Sequence, residues 1–123
     1  MMKYDAVYKN LTLDGKKVDI AAKDGKIAYI GSIDADGKDF GGLCVRAGLV
    51  DIHTHGMGGL DTMDADIVSL AAHYAKEGTT TFCPTTMSAP HEDIARVLSA
   101  KMPTAKEGAA VGGFHAEGPS IML

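Results

Sequence analysis

His53 and His55 are separated by a single residue and directly follow the apolar run Leu49-Val50-Asp51-Ile52, while Glu117 lies two residues after His115. In an extended strand, residues two apart leave the same face, roughly 6.6 Å from one another along the chain. Both imidazoles can therefore reach one ion. Imidazole nitrogen and carboxylate oxygen are zinc ligands, with the metal ~2.0–2.1 Å from the nitrogen. Two ligands on a rigid strand also lose little freedom when an ion binds. The competing reading takes the histidines as solvated or hydrogen-bonded side chains near a loop, and Glu117 as a capping or solvated carboxylate. The metal reading is preferred because the histidines end an apolar strand and precede a Gly-rich loop. Glu117 follows a further strand and points to the same end, with Gly118-Pro119 fixing the backbone beyond it.

Other candidates carry less. The loop Gly56-Met57-Gly58-Gly59-Leu60-Asp61 has the glycines of an anion cradle, but it matches neither Gly-x-Gly-x-x-Gly nor a P-loop. It reads instead as a tight passage beside the histidines, with Asp61 or Asp64 capping the following helix. His73 and His91 are expected on outward-facing helix surfaces. Thr79-Thr80-Thr81 reads as β-branched strand rather than nucleophile, since no adjacent base is apparent. Thr85 and Thr86 fall at the end of that strand and are placed at the mouth of the site. Cys44 and Cys83 lie far apart among apolar or small residues and are expected as buried, reduced thiols.

The elements that position these residues fall into two stretches. Residues 1–47 contain short β-rich runs separated by Asp14-Gly15, Asp24-Gly25, Gly31 and Asp36-Gly37, which predicts a small antiparallel unit with its clearest hairpin at Asp24-Gly25. From residue 48 the pattern changes. The strand 49–52 is followed by a helix over 65–77, with Ile67, Leu70, Ala71, Tyr74 and Ala75 as its apolar stripe and Gly78 as its stop. A strand over 79–83, a loop over 84–90, a helix over 91–102 with Ile94, Val97 and Leu98 on one side, and a strand over 109–115 complete the series. Strand, helix, strand, helix, strand is the repeat of a parallel sheet covered by helices, an α/β fold. A (β/α)8 barrel takes about 250 residues, so residues 48–123 are expected to hold the first three strands and two helices of an incomplete barrel, β1 to β3.

The composition is 46% hydrophobic and 23% charged, that of a globular chain rather than a disordered one. The net charge of -4 comes without any basic run, which argues against nucleic acid or an anionic membrane as a partner. The start, Met1-Met2-Lys3-Tyr4-Asp5, lacks a signal-peptide core, and no stretch approaches the ~20 apolar residues of a membrane span. The expected location is cytoplasmic.

The segment Ala47-Gly48-Leu49-Val50-Asp51-Ile52-His53-Thr54-His55-Gly56 resembles the first-strand motif of the amidohydrolase superfamily. Within it, His55-Gly56-x-Gly58-Gly59-x-Asp61, the segment from Gly78 to Thr85, and Gly113-Phe114-His115-Ala116-Glu117-Gly118-Pro119 are similar to the N-acetylglucosamine-6-phosphate deacetylase family. The resemblance runs the full length and departs from the family at Ala47, where proline is expected, and at Ser120, where an aromatic is common. It implies that residues 1–47 are the N-terminal strands of a small β-sandwich and that the chain is an N-terminal piece, inactive alone. The activity implied is hydrolysis of N-acetylglucosamine 6-phosphate, a small amino-sugar phosphate, to glucosamine 6-phosphate and acetate, in a full-length protein expected as a homodimer. It implies zinc or iron, as one ion or two, with Glu117 as a direct ligand and His53 and His55 holding a second ion or supporting the site. Gly118 and Pro119 become candidates for substrate contact. The resemblance also puts the catalytic aspartate that serves as general base, the remaining histidine ligands and the phosphate-binding residues beyond Leu123. Two other readings stay open: an amidohydrolase acting on a cyclic amide or an N-acyl-D-amino acid, and a metal-binding fragment without catalysis.

Overall fold

Two Asp-Gly dipeptides turn the start of the chain into a three-stranded meander. In this computed structural model, which describes residues 3–119, the strands are β1 (Ala6–Leu13), β2 (Lys16–Lys23) and β3 (Lys26–Gly31). Asp14, Gly15, Asp24 and Gly25 all have positive φ, at 48°, 75°, 51° and 70°. This is the two-residue turn whose twist matches that of antiparallel strands. A short β4 (Lys38–Asp39) then pairs with β1 in parallel, giving the order β3-β2-β1-β4. The expected antiparallel unit is therefore correct for the meander and wrong at this last strand. The change follows a register shift in β1 between Tyr8 and Leu11, where Asn10 takes φ 58°.

These strands belong to one of two compact units, Met1–Ala47 and Gly48–Leu123. Within the first, Leu11, Ile20, Ala21 and Ile33 are buried. Tyr8, Leu11, Ile20, Ile27, Phe40 and Val45 line a wholly apolar depression of about 330 Å³. A polar cluster occupies another part of the unit. The Asp19 carboxylate accepts from Asn10 N at 2.9 Å and Ile33 N at 3.0 Å and lies 3.1 Å from Lys9 Nζ. The backbone donors, with the lysine, hold the Asp19 carboxyl down at about 2.

The second unit begins with β5 (Leu49–Thr54), a small hairpin of β6 (Gly56–Met57) and β7 (Leu60–Asp61), and a 3-10 turn, Thr62–Asp64. Next come α1 (Ile67–Lys76), β8 (Thr79–Pro84), α2 (His91–Leu98) and β9 (Ala110–Val111). Strands β5, β8 and β9 form a parallel sheet in that order. Several boundaries differ from expectation. The first strand continues through His53 to Thr54. The first helix starts later because Asp66 caps it, accepting from Ser69 N at 3.1 Å, whereas Asp61 and Asp64 form a capping box on the preceding turn. The second helix ends at Leu98, ahead of Pro103, which disfavours helix at its predecessor. The third strand is reduced to Ala110–Val111 before Gly112-Gly113, and the chain rejoins the sheet only at an isolated bridge between Thr85 and His115.

The core of this unit is made by α1 and β8. Ile67, Leu70, Ala71 and Tyr74 of the helix are buried with Phe82 and Ala109, and the Tyr74 and Phe82 rings stack at 4.6 Å. Gly108 permits the close approach of the third segment: a Cβ there would lie 2.3 Å from the Ala71 carbonyl carbon, beside the bond from Ala109 N to Ala71 O. Leu49, Val50 and Ile52 of β5 are exposed (62%, 63% and 70%) despite their apolar character, because α1 packs on β8. Two further expectations change. Cys44 is exposed and Cys83 half-buried rather than both being buried, although both are free thiols. Ala75 and Leu98 are also exposed, which narrows both helix stripes. Among the described residues no helix is long and apolar enough to cross a membrane.

Candidate metal centre

Thr54 sets the direction of its neighbours. Its hydroxyl meets the phenol of the buried Tyr74 on α1, and Tyr74 also donates to Gly56 O at 3.2 Å. With Thr54 turned to the helix, alternation along the strand turns His53 and His55 to the opposite face. The backbone around them is held on both sides. Thr54 N donates to Thr85 Oγ1 at 2.9 Å, Thr85 N donates to Thr54 O at 2.7 Å, and Thr62 N donates to His55 O at 2.7 Å.

The third segment is tied to the same place. His115 N donates to Pro84 O at 3.0 Å and Thr86 N to His115 O at 3.0 Å. Two residues on, Glu117 N donates to Thr86 Oγ1 at 3.1 Å. Thr85 and Thr86 are fully buried. The sequence placed these threonines at the mouth of the site; in the structure they lie beneath it and join its two halves.

The three side chains converge closely. His53 Nε2 and His55 Nε2 are 3.3 Å apart, and Glu117 Oε2 lies 3.3 Å from the first and 3.2 Å from the second. Among the described residues they are the one group of three or more His, Cys, Asp or Glu side chains close enough to share an ion. Hydrogen bonds alone satisfy this triangle poorly. His55 Nδ1 lies 3.2 Å from Thr85 O, and a carbonyl only accepts, so that nitrogen carries the proton and the neutral ring presents a lone pair at Nε2. The lone pair faces a carboxylate oxygen and a second imidazole nitrogen. With the His53 proton at Nδ1 as well, three lone pairs would meet at this point. A cation resolves the conflict, and the size fits: ligands ~2.0–2.1 Å from a tetrahedral zinc stand roughly 3.3 Å from one another. The donor set, two imidazoles and a carboxylate, is one that zinc and iron accept.

His115 adds a contact that the sequence reading did not use. Its ring packs 4.4 Å from that of His53, and its Nδ1 lies 3.1 Å from Ile52 O. The His115-x-Glu117 spacing already placed both residues on one face, so the signal was available. Tyr74 and Thr62 were not legible as supports, because one reads as core and the other as loop. Of the remaining candidates, His73 is half-buried against the Gly58 turn rather than outward-facing, and His91 is exposed. Asp61 and Asp64 serve the 3-10 turn. Gly118 packs against Ser88, and Pro119 is exposed. Ser120 lies outside the described residues.

Fold comparison first gives the class. The chain has the fold of amidohydrolase structures: it superposes on the crystal structure of an N-acetylglucosamine-6-phosphate deacetylase from Pasteurella multocida with a TM-score of 0.68, at 20% identity, covering 96% of this chain and 35% of that one. Sequence comparison is more particular. The chain is 36% identical over 116 residues to N-acetylglucosamine-6-phosphate deacetylase from Lysinibacillus sphaericus, covering 86% of this chain and 30% of the relative. It therefore resembles these deacetylases and spans less than a third of that relative's length. An allantoinase from Escherichia coli is 48% identical over 61 residues, 44% of this chain and 14% of the relative. The sequence matches no protein-family model.

Proposed function

We propose that His53, His55 and Glu117 bind one divalent ion, zinc or iron, and that the whole protein hydrolyses the acetamide of N-acetylglucosamine 6-phosphate. The observation that carries the metal reading is the triangle of 3.2 and 3.3 Å among His53 Nε2, His55 Nε2 and Glu117 Oε2. Substrate and reaction follow from the deacetylase relative, whose match extends over 86% of this chain. In this reading β5 and its neighbours belong to a (β/α)8 barrel, and β1 to β4 to a small β-sandwich.

When bound, the ion supplies Lewis-acid activation of the amide carbonyl and of water. The rest is the work of this chain's own side chains. His53 and His55 present nitrogen lone pairs from a strand end, and Thr85 O fixes the His55 tautomer by accepting a hydrogen bond from its Nδ1–H. Glu117 supplies the negative charge that balances the cation. Gly118 and Pro119, next in sequence, border the substrate. The proton-transfer group and the phosphate contacts are assigned to parts of the whole protein other than this triangle.

A second reading, hydrolysis of a cyclic amide, draws on the allantoinase match. It covers 44% of the chain against 86% for the deacetylase, which favours the amino sugar. The deciding experiment offers the metal-loaded whole protein N-acetylglucosamine 6-phosphate and allantoin in parallel. Acetate release from the sugar is expected; ring opening of allantoin without acetate release would replace the first reading with the second.

A further inference from the structure

We propose that Thr86 is the positioning residue that sets Glu117 in register with the two histidines, so that metal affinity depends on its hydroxyl. The inference rests on the metal reading above and adds a residue to it. The Thr86 hydroxyl engages Glu117 twice, accepting from its N–H at 3.1 Å and donating to its carbonyl at 3.4 Å. Among the described residues no other hydrogen bond to the Glu117 backbone is present.

The neighbouring bonds make this a bracket. Thr85 faces the other way: its hydroxyl accepts from Thr54 N, and its carbonyl lies 3.2 Å from His55 Nδ1. Two consecutive residues at the end of β8 thus hold the histidine-bearing strand with one and the glutamate-bearing segment with the other. Both side chains are fully buried, and a buried hydroxyl with two partners has a defined direction. Because β9 ends at Val111, Glu117 lies outside any strand. Its backbone position is set by Thr86 rather than by a continuous ladder. A valine at 86 has nearly the same shape but leaves the Glu117 N–H and carbonyl unmatched, which frees the carboxylate to leave the triangle. Supporting groups of this kind cost roughly 10–100-fold in metal affinity when removed.

The test is competition titration with Co2+ on this chain and on five variants: T86V, T86S, T86A, E117A and the double variant T86V/E117A. T86V is expected to weaken Co2+ binding roughly 10–100-fold, with altered visible d–d bands, while T86S binds within a few-fold of the parent. If T86V does not fold, T86S against T86A makes the same comparison of hydroxyl present and absent. In the E117A background, adding T86V should change affinity no further, since the carboxylate it positions is gone. A general structural role would instead lower affinity in both backgrounds. Unchanged Co2+ affinity in T86V, or T86S as weak as T86A, overturns the positioning role while leaving the metal site intact. Absence of Co2+ binding by the parent chain overturns the metal reading itself.

Discussion

Asp19 in the N-terminal unit and Glu117 in the second are both carboxylates among close polar neighbours, and the contrast between them separates structure from function. Asp19 is surrounded by donors: two backbone N–H groups and a lysine. Its negative charge is fully answered, and the carboxyl is held at about 2. Glu117 faces the Nε2 atoms of two imidazoles, and the His55 ring turns its other nitrogen, Nδ1, to Thr85 O. The Asp19 carboxylate is complete as it stands. We propose that the Glu117 cluster takes a cation. Polar groups gathered with their donors matched stabilise a fold, whereas groups gathered with lone pairs opposed point to a ligand.

The two units differ equally in how they are packed, and substitutions should expose this. Phe82 is fully buried under Tyr74 and α1, so F82A should destabilise the second unit by about 3–5 kcal/mol. Leu11 is buried but borders the open apolar depression, and L11A should cost the first unit only about 2 kcal/mol, the low end for such a truncation. Residue-resolved hydrogen exchange under urea reads both values; equal costs would break the distinction between a helix-covered core and an open sheet. Y74F removes the phenol that Thr54 meets and that donates to Gly56 O. It should cost about 1–3 kcal/mol through groups left unmatched. In the same assay D66A should cost about 1 kcal/mol by uncapping α1.

The smallest effect concerns acid. Asp19 has a folded-state carboxyl at about 2, depressed from 3.8, so the stability it contributes is present above its unfolded value and is lost as pH falls from about 4 towards 2. D19N should therefore make the first unit less sensitive to acid across that window, followed by circular dichroism from pH 5 to pH 2. An unaltered acid transition would mean that the Asp19 cluster is not what pH acts on.

How much of this was legible beforehand depends on how local the physics is. The Asp24-Gly25 hairpin, the α1 stripe at Ile67, Leu70, Ala71 and Tyr74, and the stop at Gly78 follow from neighbours in sequence, and the structure has them. The parallel pairing of β4 with β1 was not legible, because it joins residues some thirty positions apart. Nor was the shortness of β9, since an apolar sequence does not reveal where Gly112-Gly113 interrupts a ladder. The triangle divides in the same way. Spacing brought out His53, His55 and Glu117 because alternation puts each on a predictable face. The work of Thr85 and Thr86 stayed hidden because their bonds reach Thr54, His55 and Glu117 across some thirty residues of chain.

The central claim is that the opposed lone pairs of His53, His55 and Glu117 form a metal centre. The direct test is isothermal titration of the metal-stripped chain with Zn2+, alongside H55A and E117A. One equivalent of Zn2+ should bind, and each substitution should weaken binding by more than the roughly 10–100-fold cost of losing a supporting residue. Absence of binding, or binding that neither substitution affects, would contradict the account.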